Sequence, residues 1–479
     1  MMGSRKFVYV FISMYLGTYV NGQSNQLNEW NEIDTHQGDE KDICTGYTPY
    51  CTAEMQQEMS ATEQAGFERT IIEKISSVQG TLRRGYEEFD DFIDELLETA
   101  SADLSSMFTK VYGYMYKEKL ASIYGDLFDG WMEYNQGNYV DLGLQAHDMF
   151  YSQFGALIEL LFPQYDIDDD FLQCSWAFIP ESYRKSQSEL QKDIKQSFGA
   201  TKAYQKGLAV AVNVLDVQQL RTSTECRNEL MKMSTCDECK GLMPVEPCHG
   251  YCLNVIGDCL ADFVALDNEW NVFIEKMVAL SDRMSTQYNL QSLVQTVAIR
   301  ISDSIMNLQE ELTRIFWESS THSCGTPEFR EKRDVAVNFK TTIQNGIPRS
   351  TRSNGKSKNL DMILSRVDRH LEKTAHLWEL LPLEMCEEIS PGTVNEVTGD
   401  CWDGENVVGH WDGTVGHVTG ETSNVIIKNL QEKLKETTNI ISDALRGVDF
   451  TLPDSDDEDE GNWYAESGSG SGSGMGDWY

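Results

Sequence analysis

The chain has 479 residues, 40% of them hydrophobic, and 77 acidic side chains stand against 39 basic ones for a formal charge of -38. Length and hydrophobic content allow about three average domains and a sizeable core. The charge excludes nucleic acid or an anionic membrane surface as a partner of the whole chain, because so acidic a protein repels polyanions.

Arg5 and Lys6 precede an apolar run from Phe7 to Val20, and small residues follow. This is the pattern of a secretory signal peptide covering residues 1–22, with cleavage after Gly22. The run is about 14 residues, short of the roughly 20 that a membrane anchor needs, and no later segment is longer and equally apolar. There is no Asn-x-Ser/Thr sequon, so N-glycosylation is not implied.

The body of the chain reads as helix. Phe67, Ile71, Ile75, Val78, Leu82, Tyr86, Phe89, Ile93 and Leu96 recur every three or four residues, an unusually long apolar stripe. The run "DIDDDF" at 166–171 has the acids of a calcium loop but lacks its glycine and closing glutamate, and is not read as one. Leu190, Ile194, Phe198, Leu208, Val212 and Leu215 form a second stripe, and Ile427, Leu430, Leu434, Ile441 and Leu445 a third. Such stripes face a core rather than a cofactor groove. Strand-like alternation is nearly absent, so the fold class is all-α.

In a secreted chain cysteines are read as disulfides. There are twelve, Cys44, Cys51, Cys174, Cys226, Cys236, Cys239, Cys248, Cys252, Cys259, Cys324, Cys386 and Cys401, an even number with none in the signal. Six disulfides is the expectation, though the residues alone leave the pairing open. Cys236 and Cys239 with Cys248 and Cys252 have the spacing of a zinc site, and the C-x-x-C that of a redox pair. Zinc would require four thiolates kept reduced outside the cell, and no thioredoxin-like βαβ pattern surrounds the redox pair. Pro247 opens a periodic run that predicts a helix with proline in its first turn. On it Cys248, Cys252 and Cys259 fall within about 40° of one face, so one helix is positioned to be stapled to several segments.

Two breaks interrupt the helices. From Gly325 to about Lys358 the chain is polar and basic, and predicts a flexible loop. It holds "REKR", ending at Arg333, and "RSTR", ending at Arg352, both R-x-x-R patterns that furin-type convertases cut. The other reading is a solvated basic face. After residue 450 a tail without periodicity carries "DSDDEDE" and then "SGSGSGSG"; it cannot pack and predicts disorder. By itself the Ser-Gly run is equally a linker.

The cysteine spacings of 10, 3, 9, 4 and 7 from Cys226 to Cys259, with "CHGYCLNVIGDCLA", closely resemble the glypican family of heparan sulfate proteoglycan core proteins. The likeness extends to "DICTGYTPYCTAEMQQEM", "CGTPEFREKR", "CWDGENVVGHW" and the acidic Ser-Gly tail, and so to essentially the whole mature chain. It is greatest to the branch that holds glypicans 1, 2, 4 and 6.

The resemblance implies the pairs Cys44–Cys236, Cys51–Cys239, Cys174–Cys324, Cys226–Cys259, Cys248–Cys401 and Cys252–Cys386. One family pair is absent as a unit, with Tyr50 standing where one of its cysteines would sit. Closing such long loops stabilises by about 3–5 kcal/mol each. The implied molecule, over 23–450, is one elongated helical body with an N-terminal Frizzled-like cysteine-rich lobe. A glycosaminoglycan-attachment tail follows over 451–479.

The attachment residues are Ser467, Ser469, Ser471 and Ser473. Each is followed by a glycine that lets a glycosyltransferase approach the backbone, with the acids of 454–460 and Trp463 nearby. The implied role is non-enzymatic, with no cofactor and no metal. It is that of a co-receptor for heparan-binding growth factors and morphogens of Wnt, Hedgehog, BMP or FGF type. Glypicans are held to the cell surface by a GPI anchor, whose apolar signal does not occur up to Tyr479; the expectation is an anchored protein with a longer chain, or else a secreted one. The alternatives are a secreted core that binds ligands without sugar chains, and a thiol-disulfide enzyme using Cys236 and Cys239.

Overall fold

The computed structural model describes residues 42–113, 119–218, 221–322, 324–330, 359–390, 400–411, 413 and 425–448. Thr52 opens the first helix among the described residues, α1 (Ala53–Tyr112), by accepting the Met55 N–H on its hydroxyl. At 1.5 Å per residue this 60-residue helix is about 90 Å long, and the stripe from Phe67 to Leu96 is its buried face.

Two shorter helices, α2 (Ala121–Asn135) and α3 (Leu142–Leu161), pack on each other and on the far half of the bundle. The acidic run at 166–171 resolves into local structure. Asp166 ends β1 (Tyr165–Asp166), and Asp168 caps α4 (Asp169–Ser175) by accepting the Phe171 N–H at 2.8 Å.

The second stripe is α5 (Glu181–Val214), the centre of the body, packed against α1 and α3 and against three later helices. These are α10 (Asp267–Met284), α11 (Leu290–His322) and α14 (Val425–Leu445), the last being the third stripe. Close approach requires small residues: a Cβ on Gly207 would lie 2.2 Å from the Met277 sulfur. Around this centre one continuous core holds Trp131, Trp270, Trp378, Tyr183, Tyr204 and Phe89, all at most 1% exposed.

Between α5 and α10 come α6 (Thr224–Ser234), α7 (Cys236–Cys239), α8 (His249–Cys259) and α9 (Ala261–Val264). After α11 come α12 (Leu360–Glu372), packed on α1, and α13 (Leu377–Ile389), packed on α8. Among the described residues the body is all-α apart from two two-residue ladders. One pairs β1 with β2 (Glu328–Phe329), and the other pairs β3 (Cys401–Trp402) with β4 (Val407–Val408).

Two expectations change. Pro247 does not lie in the first turn of α8 but before its cap residue Cys248, where it bridges to Trp402. The basic loop does not start at Gly325, because Glu328–Phe329 pairs with Tyr165–Asp166 and the Arg330 guanidinium meets the Asp166 carboxylate. Arg333 and Arg352 lie outside the described residues, as do the signal segment 1–22 and the tail 451–479. Among the described residues no helix is long and apolar enough to cross a membrane.

Candidate functional site at the disulfide cluster

Five of the six disulfides converge on α6, α7 and α8. Cys44–Cys236 and Cys51–Cys239 tie the segment before α1 to α7, across 192 and 188 residues. From α8 the cap Cys248 reaches Cys401, Cys252 reaches Cys386 at the end of α13, and Cys259 reaches Cys226 on α6. One helix therefore holds three separate segments. The sixth, Cys174–Cys324, ties α4 to the chain leaving α11. These are the six pairs the resemblance implies. Cys236 and Cys239 are bonded to distant partners and not to each other, and no described cysteine is free. That removes both the redox pair and the zinc site.

The apolar core here is small and separate: Ile43, Cys44, Met231, Cys236, Cys239 and Trp402. Polar contacts complete it. Gln56, fully buried on α1, accepts the N–H groups of Ile43 and Cys44 on Oε1 at 2.8 and 3.0 Å. Trp402 donates its indole N–H to the Lys232 carbonyl at 2.7 Å, and its own carbonyl accepts the Cys248 N–H at 2.8 Å. After it the chain turns on Asp403, whose Oδ1 accepts from Glu405 and Asn406, and on Gly404 at φ +98. A Cβ on Gly404 would strike the Tyr251 hydroxyl at 2.3 Å, so this turn requires glycine. Trp411 lies over Gly250 and beside Tyr251 on α8.

The electrostatics are acidic inside and mixed outside. Burial pushes the Glu63 carboxyl above its usual range, against hydrogen bonds from Ser234 and Thr235 and with help from Glu238. Asp237 is buried because Oδ2 accepts the Val245 N–H and Oδ1 the Glu238 N–H, both at 2.9 Å. Lys240 covers the Trp402 ring at 5.4 Å and donates to the Glu405 carbonyl at 2.7 Å.

Outside this frame runs an apolar fringe. Tyr47 and Met243 are each 84% exposed, and Tyr50, Leu242 and Val407 are also open to solvent. Tyr50 is held in place within it, packing on Gly241 and donating its N–H to the Cys239 carbonyl. A rigid scaffold carrying exposed aromatic and sulfur-bearing side chains is equipped to hold an apolar or protein ligand.

Residues 23–478 match the family model described as glypican. The chain belongs to the glypican family. Glypican-1 of Gallus gallus is 27% identical over 452 residues, which cover 90% of this chain and 80% of that protein. Glypican-2 of Mus musculus is 23% identical over 454 residues, covering 89% and 77%. The chain is thus related to the glypican-1/2 branch.

The fold matches the crystal structure of the full-length glypican-1 core protein, with TM-score 0.72 and 24% identity over 86% of this chain and 94% of that one. It also matches the Drosophila Dally-like protein core domain, with TM-score 0.66 and 24% identity over 84% and 100%. Dally-like protein has also been solved in complex with O-palmitoleoyl serine, with TM-score 0.65. Membership makes this chain a non-catalytic core protein of an extracellular, cell-surface proteoglycan family with a general co-receptor role.

The attachment serines Ser467, Ser469, Ser471 and Ser473 lie outside the described residues. The cysteines and the "CWDGENVVGHW" segment were legible in the sequence, but not the burial of Trp402 or the packing of Trp411 on Gly250. Nor was Gln56, since a buried glutamine on a helix has no periodicity of its own.

Proposed function

We propose that this glypican carries heparan sulfate on Ser467, Ser469, Ser471 and Ser473 and acts as a co-receptor for heparan-binding ligands of Wnt, Hedgehog, BMP or FGF type. The observation that carries the reading is the reach of the family match to residue 478, across the acidic run and the Ser-Gly repeat as well as the core. Sulfated chains present dense negative charge to basic patches on such ligands, and neighbouring chains raise the effective concentration. The reading includes removal of residues 1–22, a cysteine-rich Frizzled-like lobe, attachment through a GPI anchor, and convertase cleavage after Arg333 or Arg352. A cut at either arginine would leave one particle, because Cys248–Cys401 and Cys252–Cys386 span both positions.

A second reading, ligand capture by the core without sugar chains, is favoured by the apolar fringe at Tyr47, Tyr50 and Met243. The complex of Dally-like protein with O-palmitoleoyl serine gives that reading an acylated ligand to try. Binding of an FGF-type ligand and of an acylated peptide, measured before and after heparan lyase, separates the two. The first reading predicts lyase-sensitive FGF binding that weakens as salt rises. The second predicts acyl-peptide binding that survives lyase and falls in Tyr50→Ala. Lyase-insensitive FGF binding would contradict the first.

A further inference from the structure

Away from the disulfide cluster, the starts of α10 and α13 bring together three side chains that the co-receptor role does not use. Asp267 is the first residue of α10, His376 is the residue before α13, and Glu379 lies in the first turn of α13. The His376 Nδ1 is 3.3 Å from Asp267 Oδ2 and 3.2 Å from Glu379 Oε2. One possible ligand atom from each of the three lies within 4.8 Å of the others, and this is the one such His/Cys/Asp/Glu group among the described residues. Four-coordinate zinc binds nitrogen and oxygen at about 2.0–2.1 Å, which sets neighbouring ligand atoms about 3.3 Å apart. Both contacts made by the imidazole nitrogen already have that length.

The trio is also held from behind. Asp267 Oδ1 accepts the N–H groups of Trp378 and Glu379, both at 3.2 Å, so that its capping duty is done by one oxygen and the other faces His376. Asn271, one turn along α10, donates to Asp267 Oδ2 at 2.6 Å and accepts the His376 backbone N–H at 2.9 Å. One side-chain amide thus orients two of the three groups, which is the work an outer shell does for metal ligands. The same amide nitrogen lies 3.3 Å from His376 Nδ1, a contact that a metal would replace.

Holding His376 in place is costly. It has φ +58, the one positive value at a non-glycine among the described residues. Asp267 is 11% exposed at its side chain, whereas His376 and Glu379 are 58% and 64% exposed, so one ligand is anchored and two are open to solvent.

We propose that Asp267, His376 and Glu379 form a binding site for a divalent transition-metal ion of the zinc type, completed by water. One imidazole and two carboxylates suit zinc, whereas calcium and magnesium take shells of oxygen. Two carboxylates balance the charge of the ion at a neutral imidazole. An occupied site clasps the start of α13 to α10. Because α13 carries Cys386, the ion stiffens the joint between the disulfide cluster and the helical body.

The test is calorimetric titration of zinc into the full chain after heparan lyase, so that sugar-bound metal does not contribute. It is run beside His376→Gln and Glu379→Gln, changes at two exposed side chains whose fold is checked by far-ultraviolet circular dichroism. One equivalent bound at micromolar affinity, weakened at least tenfold by either change and not matched by calcium, supports the site. Cobalt substituted for zinc should show the strong visible absorption of a tetrahedral ion. Zinc binding that is absent, or equally strong in both variants, overturns it.

Discussion

The helical body and the disulfide cluster are stabilised by different means. The body buries Trp270, Trp378, Tyr183, Tyr204 and a long series of Phe, Leu and Ile in one continuous core around α5. Within it Gln153 accepts the Tyr124 hydroxyl and donates to Tyr183 and Ser304. Around α7 the separate apolar core has six residues, three of them half-cystines, and two bridges, whereas the three bridges of α8 bury Cys226, Cys248, Cys252 and Cys386 at the edge of the body's own core. Apolar burial grows with the number of residues that can surround one another. Short segments with no helix of their own, such as 42–52 and 400–411, cannot reach that number, and covalent links hold them instead.

The largest effect should come from cutting into the body. Trp270 is fully buried and donates its indole N–H to the Thr374 carbonyl at 2.9 Å. Trp270→Ala should lose about 3–5 kcal/mol in chemical denaturation, with the whole helical signal shifting together.

Removing one bridge of the cluster should cost less and act locally. Cys44→Ala with Cys236→Ala should lose about 2–4 kcal/mol, and protease should then clip the segment before α1 while far-ultraviolet circular dichroism stays unchanged. Gln56→Leu is a smaller break of the same region. It leaves two buried N–H groups without an acceptor and should cost about 1–3 kcal/mol, again without loss of helix.

A finer contrast lies in pH. Asp368 lies on α12, where it accepts from the Ser281 hydroxyl at 2.6 Å and the Tyr204 hydroxyl at 3.1 Å. Burial raises its pKa to about 6, only partly offset by those two hydrogen bonds. The folded chain therefore takes up this proton before the unfolded chain does. Asp368 favours the folded state most below the ordinary aspartate range, and that advantage is lost as pH rises through about 6. Asp368→Asn should flatten the stability profile between about pH 4 and 6. The smallest effect belongs to the surface. Arg314, exposed beside Glu311 and Glu318 on α11, should change stability by less than about 0.5 kcal/mol on replacement by alanine.

The two regions also differ in how far they could be read from residues alone. The stripes from Phe67 to Leu96, Leu190 to Leu215 and Ile427 to Leu445 announced α1, α5 and α14, because a helix buried on one face repeats every three or four residues. The face of α8 announced that one helix would be stapled to several segments, though which cysteine meets which came only through family resemblance. Contacts that depend on chain reversal left no trace. Nothing periodic marks Pro247 against Trp402, Gln56 beneath Ile43 and Cys44, or Asp267 reaching across to the start of α13. Sequence position separates those partners by more than a hundred residues in two cases, Pro247 with Trp402 and Asp267 with Trp378.

The proteoglycan reading itself comes down to four serines. Incorporation of radiolabelled sulfate into the secreted chain, compared with the variant in which Ser467, Ser469, Ser471 and Ser473 are all alanine, tests it most directly. The account predicts a diffuse, sulfate-labelled band that heparan lyase collapses to a sharp one a little below the 54.3 kDa of the full 479-residue polypeptide, and no label in the variant. A sharp, unlabelled band from the wild-type chain, or equal label in both, would contradict it.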